Sequence, residues 1–279
     1  SIDPDNDFFL VSIPNLVSPG NLLCGCIAIP NIIDGNIGIA VYLVMIACVF
    51  DFLDGFVARA LKQGSPMGKE LDSLADMVTF GVVPGMVMFE MLRFTATPAE
   101  VWGQDQWKFC LPYLGFLIPL FSGLRLAKFN VDTNQSDSFI GLPTLANALL
   151  VCGLPLMFNL QNTEYFSYNG FTYLVNDYVP NTMVTVRAIS YSLMEFWHSQ
   201  WTLIGVTVVL SILLISPIPM FSFKVKSMKW KGNEIRYIFL ILAAGLFALL
   251  KLGAFPMIIL FYIVLSMVFA LTKKSSPQA

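Results

Sequence analysis

Eight long apolar runs recur along the chain, at roughly 15–33, 37–61, 70–92, 108–129, 142–160, 201–217, 236–251 and 254–272, with polar connectors between them. Each approaches the ~20 residues a helix needs to cross the hydrocarbon core of a bilayer. None alternates apolar and polar residues at every second position, as a membrane strand would. The pattern predicts an all-α integral membrane protein with about eight transmembrane helices, and it excludes an outer-membrane barrel. It predicts a single membrane domain over 1–272 with a polar tail at 273–279.

Composition agrees: 56% of the residues are hydrophobic and 12% charged, against about 25% charged in ordinary soluble domains. The net charge of -2 creates no global field, so nucleic acid is not an expected partner. Charge is informative locally. The connectors after the second, fourth, sixth and eighth runs, with the chain end, carry twelve of the 16 basic residues: Arg59, Lys62, Lys69, Arg125, Lys128, Lys224, Lys226, Lys229, Lys231, Arg236, Lys273 and Lys274. Arg93, Lys108, Arg187 and Lys251 fall on the other side. The positive-inside rule then places both termini and the basic connectors in the cytoplasm of a multi-pass protein of the cell membrane. Lys224 to Arg236 reads as an anchor and anionic-lipid contact. The acidic start, Ser1 to Asp7, is unlike the basic start of a secretory signal, so none is expected.

The long connector 161–200 is expected outside the cytoplasm. Its second half, Met183 to Trp201, has apolar spacings compatible with a helix lying in the interface, where His198 is an interfacial polar group. The five cysteines, odd in number and set in or beside apolar runs, read as packing residues and not as a disulfide framework.

Acids inside apolar helices are costly, and each is a functional candidate. They concentrate in one hairpin, 51–76. Asp51 and Asp54 are three apart at the end of the second run, and Asp72 and Asp76 are four apart at the start of the third, so each pair lies on one helical face. The turn between them is short and holds Gly64, Pro66 and Gly68. Four carboxylates can therefore converge near the cytoplasmic surface. Four Asp against Arg59 leave about -3, and such a cluster cannot all stay ionised without cations or large upward pKa shifts. Oxygen-only donors select hard divalent ions, Mg2+ or Mn2+, and two of them would reverse the local sign. With the small residues Gly55, Ala58 and Gly68 nearby, that centre suits a diphosphate. A single Asp near a helix end would be interfacial, and an ion pathway of a cation-coupled transporter is the rival reading of the group.

The full pattern, Asp51-x2-Asp54-Gly55-x2-Ala58-Arg59-x8-Gly68-x3-Asp72-x3-Asp76, resembles the signature of the CDP-alcohol phosphotransferase family. The resemblance implies a six-helix membrane core, here 13–217, followed by two C-terminal helices, here 236–272. It implies transfer of a substituted phosphate from a CDP-linked donor to an alcohol with release of CMP, assisted by two divalent cations. By position, Asp51, Asp54, Asp72 and Asp76 are similar to the metal ligands. Asp54, Gly55, Ala58, Arg59, Gly68 and Asp72 are similar to the CDP contacts, and Asp76 to the base for the incoming hydroxyl. Homodimers are common in that family, and a homodimer is expected here.

Three further segments resemble the phosphatidylserine synthases within it: Ile13-Pro14-Asn15-Leu16-Val17-Ser18 with Gly20-Asn21-Leu22-Leu23-Cys24-Gly25, then Arg125-Leu-Ala-Lys128-Phe-Asn130, then Phe139-Ile-Gly141-Leu142-Pro143. Lys128 stands where those enzymes have Arg, keeping charge but losing the bidentate fork. Leu145 stands where a second Pro is common. This resemblance implies CDP-diacylglycerol as donor, with Asn15 and Ser18 at the mouth for its head group, and L-serine as acceptor. The serine carboxylate wants a cation, which Arg125 and Lys128 supply, so Arg125, Lys128 and Asn130 are the expected acceptor-binding residues; the same two charges also serve as a positive-inside anchor. Glycerol 3-phosphate, an inositol compound and choline are the competing acceptors.

Overall fold

A computed structural model of the chain describes residues 13–61, 66–95, 106–131, 139–159, 199–220, 233–250 and 253–274. All eight apolar runs are helical there. Helices α1 (Ile13–Ile33) and α2 (Ile37–Leu61) are joined by a tight turn. Gly35 takes the left-handed conformation, φ 81°, its N–H bonding the Ile32 carbonyl at 3.0 Å while the Asn36 N–H bonds the Asn31 carbonyl at 2.7 Å. This closes the carbonyls that the end of a helix leaves open.

The third run is not one uniform helix. It comprises α3 (Pro66–Asp76), a π-helical segment (Met77–Val82) and α4 (Val83–Thr95). The Val83 N–H reaches the Val78 carbonyl, five residues back, and Pro84, next along, has no N–H to continue an ordinary ladder. The fourth run opens as a 3-10 helix (Gln106–Phe116) containing Pro112 and continues as α5 (Leu117–Val131). Then follow α6 (Thr144–Asn159), α7 (Gln200–Ile215), α8 (Glu234–Leu250) and α9 (Ala254–Lys274). Three helical stretches are long and apolar enough to cross a membrane: Ile37–Val57, Met67–Thr95 and Lys108–Val131. The other five runs give shorter apolar helices.

Side-chain polarity is distributed as lipid demands. Large apolar groups such as Leu23, Ile46, Leu120, Ile212 and Leu249 are exposed, while Ser18, Asn21, Thr79, Ser122, Asn147, Thr207 and Ser211 are buried. An exposed apolar surface on this scale has no place in water; in a bilayer it is the solvent-facing side, and helices keep every backbone polar group paired there. This is an all-α membrane protein.

Close approaches between helices occur at small residues, the usual device where no hydrophobic effect draws helices together. A Cβ on Gly85 would sit 2.5 Å from Pro119 Cδ, and one on Gly115 would sit 2.7 Å from the Phe89 backbone nitrogen, so α4 lies directly against the 3-10 helix and α5. Gly153 of α6 meets Pro256 of α9 in the same way. All five cysteines are free; Cys24 and Cys152 are buried, whereas Cys26 and Cys110 are exposed.

A short strap ties two connectors together. β1 (Phe139–Ile140) pairs antiparallel with β2 (Pro219–Met220). Beside it Gly141, φ 76°, donates its N–H to the Ile218 carbonyl at 2.9 Å, and the Leu142 N–H reaches the Leu213 carbonyl at 2.9 Å. The entry of α6 is thereby fixed to the exit of α7. The hairpin turn 62–65, the connector 160–198 with His198, the basic stretch 221–232 and the tail 275–279 lie outside the described residues.

Candidate active site

The acidic hairpin forms at one end of the bundle. α2 carries Asp51 and Asp54 in its last turns and α3 carries Asp72 and Asp76, so the two helices bring their acids to one place. Asp51, Asp72 and Asp76 each offer a carboxylate oxygen, and the three oxygens lie within 4.8 Å of one another. Asp54 is not part of that trio. It is buried, 7% exposed, and accepts a hydrogen bond from Ser18 Oγ at 2.9 Å, linking α1 to α2. It remains within electrostatic reach of Asp72 and Asp76.

Two polar atoms near the acids are buried without a hydrogen-bond partner. Asp72 Oδ1 is buried and makes no hydrogen bond, and neither does Arg125 Nε on α5. Buried polar atoms are rarely left unpaired, and each such exception calls for a reason. Arg125 lies within electrostatic reach of Asp76 yet makes no ion pair with a described residue; among those residues the ion pair seen is Arg93 with Glu90 at 2.6 Å, on α4. Three carboxylate oxygens this close fit a hard divalent cation, and among the described residues no nitrogen or sulfur ligand joins them to favour a softer one.

Asn130, on the next turn of α5 after Arg125, is tied to α3. Its Nδ2 donates to Ser73 Oγ at 2.9 Å, and Ser73 Oγ lies 3.2 Å from Asn130 Oδ1. Ser73 follows Asp72 directly, so this contact anchors the acid-bearing helix to the helix that carries Arg125. Lys128 is exposed. Gly55 and Gly68 are half-buried, on the two arms of the hairpin. Ala58 and Arg59 lie on α2 and Asn15 on α1, but their side chains fall outside the described residues.

Sequence reasoning gave no role to Asn21, Ser73 or Thr79. Asn21 donates its Nδ2 to Asp76 Oδ1 at 3.1 Å, and Thr79 Oγ1 donates to the Asn21 carbonyl at 3.0 Å. The available signal was an amide in the middle of an apolar run, which lipid does not tolerate without a partner.

Comparison with known proteins identifies the family of the chain. The family model described as CDP-alcohol phosphatidyltransferase matches residues 11–175, more than half of the chain and the whole acidic hairpin. The chain belongs to the CDP-alcohol phosphatidyltransferase family. As a member of that family it is an enzyme, and the matched range includes the acids grouped by its second and third apolar runs. It is 31% identical over 225 residues to the CDP-diacylglycerol–serine O-phosphatidyltransferase of Helicobacter pylori, covering 77% of this chain and 86% of that protein. It is 38% identical over 135 residues to the protein of the same name from Bacillus subtilis, covering 47% and 68%. It is also 34% identical over 145 residues to the archaetidylserine synthase of Methanothermobacter thermautotrophicus, covering 50% and 56%.

Proposed function

We propose that this member of the CDP-alcohol phosphatidyltransferase family transfers the phosphatidyl group of CDP-diacylglycerol to the hydroxyl of L-serine, giving phosphatidylserine and CMP. The observation that carries the reading is the trio Asp51, Asp72 and Asp76 with Arg125, its Nε unpaired, in electrostatic reach of Asp76: an anionic pocket for divalent cations near a cation for a carboxylate-bearing acceptor. The names borne by the relatives support the donor and acceptor.

Asp51, Asp54, Asp72 and Asp76 would hold two divalent cations, Mg2+ or Mn2+, which when bound neutralise the diphosphate and the charge passing to the leaving group. Asn15, Ser18, Gly55, Ala58, Arg59 and Gly68, with Asp54 and Asp72, line the cytidine and diphosphate site. Arg125 engages the serine carboxylate, the exposed Lys128 adds only a screened attraction at the rim, and Asn130, through Ser73, keeps α5 in register with α3. Asp76 accepts the proton of the serine hydroxyl as its oxygen attacks the β-phosphorus, and the bond to CMP breaks with its electron pair leaving on CMP. The donor enters laterally, acyl chains in lipid and head group at the polar mouth. The protein forms a single membrane unit of eight crossings, its site and both termini facing the cytoplasm of the cell membrane, and functions as a homodimer.

The test is the purified protein with CDP-diacylglycerol, Mg2+ or Mn2+, and a panel of alcohols. CMP release with phosphatidylserine formation is the expected result. Release with glycerol 3-phosphate, inositol or choline but not serine overturns the acceptor assignment, and no CMP with any alcohol, as for a transporter, overturns the chemistry. Asp76→Asn is expected to lower turnover by at least ~100-fold, the scale of a lost general base, while donor binding stays measurable; full activity in that variant removes Asp76 from its role.

A further inference from the structure

The run Gly20-Asn21-Leu22-Leu23-Cys24-Gly25 has no part in the chemistry described so far, although it packs against the end of the acidic hairpin. Asn21 is 0% exposed, in the body of α1. Its amide makes one hydrogen bond, Nδ2 to Asp76 Oδ1 at 3.1 Å, and its Oδ1 is buried without a partner. A buried amide atom left unpaired costs about 1–3 kcal/mol, so stability alone does not account for an Asn at a fully buried position of α1.

Its placement is fixed from both sides. The Asn21 carbonyl, already used by the α1 ladder, accepts a second bond from Thr79 Oγ1 at 3.0 Å. One turn along α1, a Cβ on Gly25 would lie 2.4 Å from Thr79 Oγ1 and 3.1 Å from Thr79 Cα, so only glycine lets α1 lie this close. Thr79 sits in the π-helical segment that begins directly after Asp76. The widened turn and the glycine together bring the backbone after Asp76 against α1, at the height where the Asn21 amide meets the carboxylate.

We infer that Asn21 is the positioning residue for Asp76: its amide holds one carboxylate oxygen and thereby turns the group toward Asp51 and Asp72, with Thr79 and Gly25 setting the height of the contact. A neutral amide suits this task, because it donates to the carboxylate without adding charge to an already acidic site. The inference deepens the proposed function and rests on it for the role of Asp76.

The test reads metal binding separately from turnover. Mn2+ binding to the purified full-length protein, followed by electron paramagnetic resonance without substrate, is expected to weaken by ~10–100-fold in Asn21→Leu, the range found when a hydrogen-bond partner of a metal ligand is removed. The kcat falls with it, while KM for CDP-diacylglycerol and for the acceptor stays within about threefold, and the unfolding midpoint in EDTA stays near that of the wild type. Mn2+ affinity and kcat within twofold of wild type overturn the inference, as does a wild type that binds no Mn2+. Should Asn21→Leu fail to fold, Thr79→Val decides, since it keeps the shape and removes one bond: a several-fold loss of Mn2+ affinity supports the role, and unchanged affinity refutes it. If the wild type binds Mn2+ but releases no CMP with any alcohol, the proposed reaction fails while the Mn2+ comparison still tests Asn21.

Discussion

Asp51→Asn tests whether the three grouped acids repel one another. The substitution keeps the shape of the side chain and deletes one charge. With carboxylate oxygens no farther apart than 4.8 Å, each charged pair repels by about 3.5 kcal/mol at an effective dielectric of 20. Asp51 takes part in two of the three close pairs. Ions and protons drawn to the site offset most of that repulsion, so a gain of about 1–3 kcal/mol is expected for the metal-free variant, or roughly 2–5 °C in unfolding midpoint at this chain length. Divalent ions reverse the ranking: metal at about a hundred times its dissociation constant stabilises the wild type by about 2.7 kcal/mol, whereas the variant, short of a ligand, responds by less than half as much. The assay is thermal unfolding in detergent, in EDTA and across a Mn2+ titration. A variant less stable than wild type in EDTA would refute the reasoning, because it would mean that Asp51 stabilises the fold through its own bonds.

Three further outcomes follow from the geometry. Arg125→Ala is expected to raise the acceptor KM by ~10–100-fold, the scale of one lost charge-assisted hydrogen bond, with the donor KM within threefold; steady-state kinetics varying each substrate in turn decide it, and equal effects on both would make Arg125 a structural anchor. Lys128→Ala, at an exposed position, is expected to change the acceptor KM by less than about threefold, a screened charge being worth little; a loss as large as that of Arg125 would reverse their ranking. Gly141→Ala places a Cβ 2.6 Å from the Leu214 carbonyl at φ 76°, where the left-handed conformation alone costs about 1–2 kcal/mol. A fall of at least ~5 °C in unfolding midpoint is expected, and a change within 1 °C would remove the strap from any structural role.

The helices were legible because lipid imposes one rule, that a crossing segment be apolar for some 20 residues, and the runs at 37–61 and 254–272 coincide with α2 and α9 within two residues. The acids were legible for the complementary reason: Asp51, Asp72 and Asp76 violate that rule at helical spacing. The π-helical segment was hidden, since Met77–Val82 is as apolar as its surroundings and hydropathy does not distinguish a ladder reaching four residues back from one reaching five. Asn21 stands in a motif that shows no task for it, because its partner lies 55 positions away and only the fold brings them together. Asp54 was grouped with the other acids by spacing, but three residues along α2 turn it toward Ser18, a choice between two polar neighbours that periodicity does not make.

The helix that supplies two of the signature acids is also part of the outer surface. Around Asp54 on α2, Phe52 is 65% and Phe56 56% exposed, their rings stacked with centroids 6.5 Å apart, so the wall between site and lipid is one helix thick. For a donor carried on acyl chains, the abundance such a site senses is a mole fraction in the bilayer and not a concentration in water. Diluting the donor with inert lipid at constant total amount would slow the enzyme, whereas adding water would not.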